Sequence, residues 1–317
     1  MQKRKLGNSG LEVSPLAFGG NVFGWTADEP QSFRLLDAFV DSGFNFIDTA
    51  DVYCKWVPGK QGGESETILG KWLKRKGNRI KVVIATKVGM EMGRDQKGLS
   101  KAYILREVED SLRRLQPDYI DLYQAHMDDP NTPLEETLET FALLVKQGKA
   151  RVIGASNYGA ERLLQALEVS KKRGYPSYQS LQPWYNLYDR AEYETKLEPL
   201  CREKGLGVIS YFSLASGFLT GKYRSDKDLS KSARGPRSIG KYLNERGFRI
   251  LDALERVAKQ RGATPTTVSL AWLMARPGIT APIASATSVE QLHDLIQAPN
   301  LKLDQPEIEL LTQASVY

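Results

Sequence analysis

A chain of 317 residues is long for one hydrophobic core, yet barrels of alternating strands and helices reach that length as one domain, so a single domain over residues 1–317 is expected. Its 41% apolar and 26% charged residues are ordinary for a globular protein, and no window holds the ~18 uninterrupted apolar residues of a membrane span, which excludes a transmembrane protein. The net charge of +6 is spread along the chain, and its densest run, residues 71–81, lacks interleaved aromatics, so nucleic acid is not expected as a partner.

At the start, MQKRKLGNSGLEVS carries basic residues with no apolar stretch behind them, which matches neither a signal peptide nor a transit peptide. Within it, KRKLGNSGLEVS reads as a small hairpin turning at Asn8 and Gly10, placed to plug the bottom of a barrel. Eight short runs rich in β-branched and apolar residues follow: SPLAFGG (14–20), FNFID (44–48), KVVIATK (81–87), YIDLYQAH (119–126), RVIGASN (151–157), YQSLQP (178–183), LGVISYF (206–212) and ITAPIASA (279–286). Between them lie amphipathic stretches such as SKAYILREVEDSLRRL and PLEETLETFALLVKQGK, the second with proline at a first helical turn and glycine near its end. Alternating strand and helix implies parallel strands with right-handed crossovers, which leaves an open doubly wound sheet or a closed barrel; the count of eight favours a (β/α)8 TIM barrel of the α/β class. The alternation breaks once, in a polar excursion over about residues 217–247, and a long loop in a compact domain usually serves function as a lid or clamp. The two cysteines, Cys54 and Cys201, make no disulfide framework, so a reducing cytoplasm is the expected location.

Active sites of such barrels form at the carboxyl ends of the strands. Polar residues that end apolar runs are therefore expected on one face: Asp48, Lys87, His126, Ser156, Asn157, Gln182 and Tyr211. Each alone has an ordinary structural reading, as a turn cap, an ion-pair partner or a satisfied core residue. Together with Tyr53, however, Asp48, Lys87 and His126 make one device. A tyrosine hydroxyl is a weak acid, and an adjacent ammonium favours its phenolate. Asp48 would hold Lys87 charged, Tyr53 would give a proton to a developing alkoxide, and His126 would hydrogen-bond the same oxygen. That is acid catalysis of carbonyl reduction, and it needs a hydride source. A hydrolase with paired carboxylates fits poorly, because the strand ends supply one acid beside a lysine and a tyrosine.

The whole chain resembles the aldo-keto reductases, barrel oxidoreductases that use a nicotinamide cofactor, and in particular their bacterial-type members and channel-β-subunit-like branch. The resemblance rests on LAFGGNVFG, FIDTADVY with GGESETILGKWL, VIATK, DYIDLYQAH, TPLEETLETFALLVKQGKARVIGASN, LQPWYNL, YFSLASGFLTGKY and SATSVEQL, in that order. It implies that Asp48, Tyr53, Lys87 and His126 are the catalytic tetrad. It further implies that Gly20, Asn21 and Asp48 approach the cofactor, that Ser156, Asn157 and Gln182 hold the nicotinamide carboxamide, and that Tyr211 stacks on the ring. Ser213, Leu214, Ala215, Gly217 and Leu219 match the loop around the pyrophosphate, and Ser285, Gln291 and Asp294 match positions around the adenosine. The chain departs from the family where Ala284 is not basic and Leu295 replaces an asparagine. Lys222 and Arg234 resemble basic residues that fold over a 2′-phosphate, which favours NADPH (NADP+) over NADH. GFLTGKY is no P-loop, no Gly-x-Gly-x-x-Gly fingerprint occurs, and no metal is implied.

For the substrate, Trp25, Trp56, Met127, Trp184 and Tyr185, with Tyr53 and His126, are expected to line an apolar or aromatic pocket at the open face. The expected activity is reversible reduction of an aldehyde or ketone with a small carbonyl or alcohol as the substrate. The alternative is an NADPH-binding redox sensor or regulatory subunit with little turnover. A homo-oligomer is compatible with either reading.

Overall fold

The computed structural model describes residues 1–233 and 235–317, leaving aside the side chain of Lys76. Strands β1 (Arg4–Lys5) and β2 (Glu12–Val13) pair antiparallel as a hairpin. Eight parallel strands follow: β3 (Ala17–Gly19), β4 (Phe46–Asp48), β5 (Val83–Val88), β6 (Ile120–Ala125), β7 (Ala150–Ser156), β8 (Ser180–Gln182), β9 (Gly207–Val208) and β10 (Ile283–Ala284). Their spatial order is chain order, with β10 beside β3. Between β9 and β10 the backbone closes the ring: Thr280 N–H and Ala281 N–H donate to Val208 O (2.8 and 3.2 Å), and Ile283 N–H donates to Ser210 O (2.8 Å). This is the expected (β/α)8 barrel, and each of the eight expected runs covers one of its strands to within one residue.

Two layers of apolar side chains divide the strands by period two. Phe46, Val83, Ala85, Leu122, Val152, Ile209, Ala281 and Ile283 fill the barrel interior. Ile47, Ile84, Tyr123, Ile153 and Leu181 belong instead to the larger layer under the helices. The hairpin contributes Leu6, Leu11 and Val13 to the interior cluster, so it plugs the bottom as expected. At Gly7 the chain takes φ +55°, and an added Cβ would sit 2.2 Å from the carbonyl oxygen of Gln179. Gly7→Ala is therefore expected to destabilise the protein by more than about 1 kcal/mol, read as a lowered midpoint in urea unfolding; an unchanged midpoint would mean that the hairpin does not need this close approach.

Helices α1 (Glu29–Asp41), α2 (Glu64–Lys76), α3 (Lys101–Leu115), α4 (Leu134–Lys146) and α5 (Ala160–Arg173) follow β3 to β7 in turn. Asp28 and Ser100 cap α1 and α3 through their side chains, while left-handed Gly77 and Gly174 end α2 and α5. Pro133 stands at the N-cap of α4, one position earlier than expected, because its extended backbone (φ −56°, ψ 134°) precedes the helix. Helix α6 (Glu198–Lys204) follows a five-residue π turn, Tyr193–Leu197. The long excursion holds the turn Asp226–Lys231, the short helix α7 (Gly235–Ser238) and the turn Gly240–Tyr242 before α8 (Glu245–Arg261). It is pinned rather than loose: Tyr223, Ile239 and Tyr242 are fully buried, and Tyr242 stacks on Phe218 at 5.2 Å. Helices α9 (Pro265–Ala275), α10 (Val289–Gln297) and α11 (Gln305–Ala314) complete the outer layer, and among the described residues no helix is long and apolar enough to cross a membrane.

Candidate active site

Period two decides which strand-end groups enter the barrel. Because Phe46 points inward and Ile47 outward, Asp48 points inward; by the same step Lys87 follows Ala85, and Gln124 and His126 follow Leu122. Lys87 and Gln124 are register partners across β5 and β6, and Ser156 and Gln182 are partners across β7 and β8. The top layer of the barrel is thus polar where the layers below are apolar.

Three members of the expected tetrad meet in one bonded cluster. Lys87 Nζ donates to Asp48 Oδ2 (2.6 Å), to Thr49 O (2.8 Å) and to Tyr53 Oη (2.9 Å). Tyr53 Oη–H donates to Asp48 Oδ2 at a longer 3.2 Å, and Gln182 Nε2 donates to Asp48 Oδ1 at 2.8 Å. Asp48 and Lys87 are fully buried, whereas Tyr53 is half-buried and so faces the mouth. Both oxygens of Asp48 are thereby engaged. Burial pulls the Lys87 ammonium down from its ordinary value, and the Asp48 carboxylate opposes that pull.

His126 completes the set at a distance. Its ring lies 6.3 Å from that of Tyr53, inclined at 71°. Burial first, and then the Lys87 charge, hold it well below its usual protonation range, so it is a neutral imidazole; its Nδ1 is buried with no hydrogen-bond partner. A neutral ring carries one N–H, and the tautomer that places it on Nε2 can donate to an oxygen above Tyr53.

Around the rim, β7, β8 and β9 bring Ser156, Asn157, Gln182 and Tyr211 together. Ser156 Oγ donates to Gln182 O (3.0 Å), Asn157 Nδ2 donates to His126 O (2.9 Å), and Tyr211 Oη donates to Asn157 Oδ1 (2.6 Å). Burial pushes the Tyr211 phenol up to about 12, so it stays a neutral donor. Six non-glycine residues have positive φ among the described residues; Gln116 caps a helix, and the other five, Cys54, Asn157, Phe212, Ala215 and Ser216, lie at or beside strand ends of this face. Such strain persists where the surrounding structure enforces it, commonly at functional sites. Cys54 turns the chain directly after Tyr53, donating its Sγ–H to Phe23 O at 2.9 Å; burial pushes the thiol up to about 12, which makes it structural and unreactive.

The loop after β9 is built from small residues. Ser213 is buried with its hydroxyl on Ser210 O (3.0 Å), and the side chains of Ala215 and Leu219 are fully buried, so only backbone from these residues can meet a ligand. Leu214 is half-buried, and Ala215, Ser216 and Gly217 run left-handed in succession. Lys222 reaches back over this turn, its side chain within 3.8 Å of where a Cβ on Gly217 would sit. Arg234 lies outside the described residues. Opposite, Gly20 opens the turn Gly20–Val22, and Ser285 Oγ donates to Asn21 Oδ1 (2.6 Å) and Gly19 O (2.8 Å), joining β10 to β3. Gln291 Oε1 caps the turn at Thr287, Asp294 is half-buried, and Leu295 turns into the core.

The aromatic residues form two walls, one of them against Tyr53. Trp56 lies 5.9 Å from Tyr53 and 5.7 Å from Trp25, all edge-on, while Trp184 lies 4.7 Å from Phe212. Trp56, Met127, Trp184 and Phe212 are among the few large apolar side chains left exposed. Tyr185 corrects the expectation that it lines the mouth: it is fully buried, packed on Tyr193 and Trp272, with Oη–H donating to Glu194 at 2.7 Å. It follows Trp184 directly in extended chain, so the two side chains take opposite sides.

Three residues of this face escaped the sequence reading. Gln124 lies two positions before His126, so strand period alone would have found it; its Nε2 is buried without a partner. Phe212 is an exposed aromatic in left-handed backbone, and no local signal marks that. Asp51, between Asp48 and Tyr53, is fully buried.

The chain belongs to the aldo/keto reductase family, whose model it matches over residues 15–316. It is 37% identical to the Uncharacterized oxidoreductase YrpG of Bacillus subtilis over 98% of this chain and 95% of that protein. It is 32% identical to the Aldo-keto reductase YhdN of the same organism, over 100% of this chain and 95% of that one. A Probable voltage-gated potassium channel subunit beta of Oryza sativa subsp. japonica is 32% identical over 97% of this chain and 94% of its own length. The oxidoreductase class and the barrel follow from this membership, and aldo/keto reductases as a family act on carbonyl groups with a nicotinamide cofactor.

Proposed function

We propose that this protein is an NADP-dependent reductase of aldehydes or ketones, reversible as an alcohol dehydrogenase, that works in the cytoplasm as one barrel domain with Tyr53 as proton donor. The observation that carries this reading is the Lys87 ammonium, buried and bonded at once to Asp48 (2.6 Å) and to the Tyr53 phenol (2.9 Å). Tyr53 rotates its proton from the long bond to Asp48 onto the carbonyl oxygen as that oxygen gains charge. Lys87 then stabilises the phenolate, and Asp48, held by Gln182, keeps Lys87 in place. Neutral His126 donates its one N–H to the same oxygen and orients it. Trp25, Trp56, Met127 and Trp184 keep water from the carbonyl carbon and favour an apolar substrate.

The residues present fit a nicotinamide dinucleotide. The unpartnered Gln124 Nε2 and His126 Nδ1 mark a polar layer with bonding capacity left, the half-buried Tyr211 offers a flat ring, and the left-handed turn at 215–217 leaves room for phosphate against backbone. Ser156, Asn157 and Gln182 would hold the carboxamide and Tyr211 the ring. Backbone from Ser213 to Leu219 would meet the pyrophosphate, Gly20 and Asn21 would approach from the first strand, and Ser285, Gln291 and Asp294 would meet the adenosine end. When bound, the cofactor supplies the hydride. Lys222, with Arg234, is the basis for choosing NADPH over NADH.

Likeness to a protein named as a channel β subunit keeps a second reading, an NADPH-binding redox sensor with little turnover. Fluorescence titration with NADPH and NADH, followed by a carbonyl panel, separates the two. Tighter binding of NADPH with steady oxidation by carbonyls is expected, and Lys222→Ala should narrow the NADPH preference about tenfold. Binding without turnover across the panel would favour the sensor, and no binding of either dinucleotide would end both readings.

A further inference from the structure

Asp51 stands in the loop that carries Tyr53, yet the proton-donor cluster does not use it. Its side chain is fully buried; Oδ1 accepts from Val52 N–H at 2.6 Å, and Oδ2 has no hydrogen-bond partner. The groups whose charges reach it come from four packed elements: Glu66 on α2, Tyr103, Glu107 and Arg114 on α3, Lys87 on β5 and Tyr123 on β6. Every cation among them is already engaged. Arg114 Nε bonds Glu66 at 2.6 Å, and its Nη2 bonds Glu107. Thr86 Oγ1 donates to the other oxygen of Glu66 at 2.5 Å. Lys87 spends its three N–H donors on Asp48, Thr49 and Tyr53.

Three buried acids therefore face one guanidinium, and the acid left without a cation is Asp51. An ionised carboxylate buried in that position would cost more than taking up a proton. The phenols of Tyr103 and Tyr123, also without partners, accept such a neutral neighbour. Burial, reinforced by the charges of Glu66 and Glu107, holds the Asp51 carboxyl well above the usual carboxylate range.

We infer that Asp51 works as a protonated, neutral acid and is a positioning residue for the Tyr53 device, because its neutrality leaves the charge of Lys87 undivided between Asp48 and Tyr53. An ionised Asp51 would act on Lys87 as a second counter-charge and make the phenolate of Tyr53 harder to form. The catalytic half of this inference rests on the reductase reading above; the protonation half does not.

The test is Asp51→Asn, which keeps the shape and the acceptor for Val52 while removing the titration. The folded protein holds this proton at pH values where the unfolded chain, with an ordinary carboxyl near ~3.9, has lost it. Stability in the wild type is therefore full below that value and is lost as pH rises toward the folded one, whereas the variant has no such loss. The melting temperature of Asp51→Asn should exceed that of the wild type by a few degrees at pH 8, with the gap narrowing as pH falls and closing only near ~4. A gap that is absent or reversed at pH 8 would overturn the inference. In turnover, the basic limb of the pH profile should coincide in the two proteins; a limb displaced to lower pH in the variant would mean that Asp51 was ionised. Should the variant not fold, infrared spectra of the wild type at neutral pH decide: a protonated carboxylic C=O band is expected, and its absence overturns the inference. The melting and infrared readouts need no turnover, so they stand apart from any failure of the reductase reading.

Discussion

Replacing Tyr53 by phenylalanine is expected to lower carbonyl turnover by about 10²–10⁴-fold, the usual worth of a placed general acid, with cofactor affinity nearly unchanged. The reason is that the variant loses one atom and keeps one surface. The phenol oxygen is the atom that Lys87 meets at 2.9 Å, while the ring contacts with Trp56 at 5.9 Å and His126 at 6.3 Å survive in phenylalanine. Steady-state oxidation of NADPH with an aldehyde gives the first quantity, and fluorescence titration gives the second. Turnover equal to the wild type would remove Tyr53 as the donor, and a parallel loss of cofactor affinity would mean that the phenol holds the cofactor instead.

Lys87→Met is expected to fail in two ways at once. Turnover should fall at least as far as in Tyr53→Phe, because the phenolate loses its neighbouring charge. Stability should also fall, by about 3–5 kcal/mol at pH 7, since Asp48 would be left buried with no cation. Asp48 is fully buried and would then take up a proton, so the stability deficit should shrink as pH falls. Urea unfolding at pH 5 and pH 8 measures this directly. A double variant, Asp48→Asn with Lys87→Met, should regain part of the stability and none of the turnover. If the single variant were as stable as the wild type at pH 8, the ion pair would not be the keystone of the barrel mouth.

Much of the fold was legible because strands buried on both faces leave long apolar runs and helices leave a different period. FNFID and YIDLYQAH each contain their strand, KVVIATK covers all of β5 but Val88, and each run ends in a polar residue that enters the barrel top. Asp48, Lys87 and His126 could be found that way, since a charge ending a core strand conflicts with burial unless partners arrive from elsewhere. Gln124 obeys the same rule one step deeper and was missed because it sits inside its run. Tyr185 went astray for the opposite reason: neighbouring aromatics in WYNL look alike, although adjacent side chains in extended backbone face opposite ways. The isolation of Asp51 was invisible, because it depends on Arg114, some sixty residues onward, being already spent on Glu66 and Glu107.

The chain by itself determined its alternating elements, the family it belongs to and which polar groups end its strands, because these follow from local periodicity and from motifs in order. Only the tertiary structure decided that the ring closes between Val208 and Thr280, that Lys87 has no donor to spare, and that Tyr185 lies under the wall. Those outcomes depend on which distant groups share a buried space, where each donor can be used once and every unpaired charge is costly.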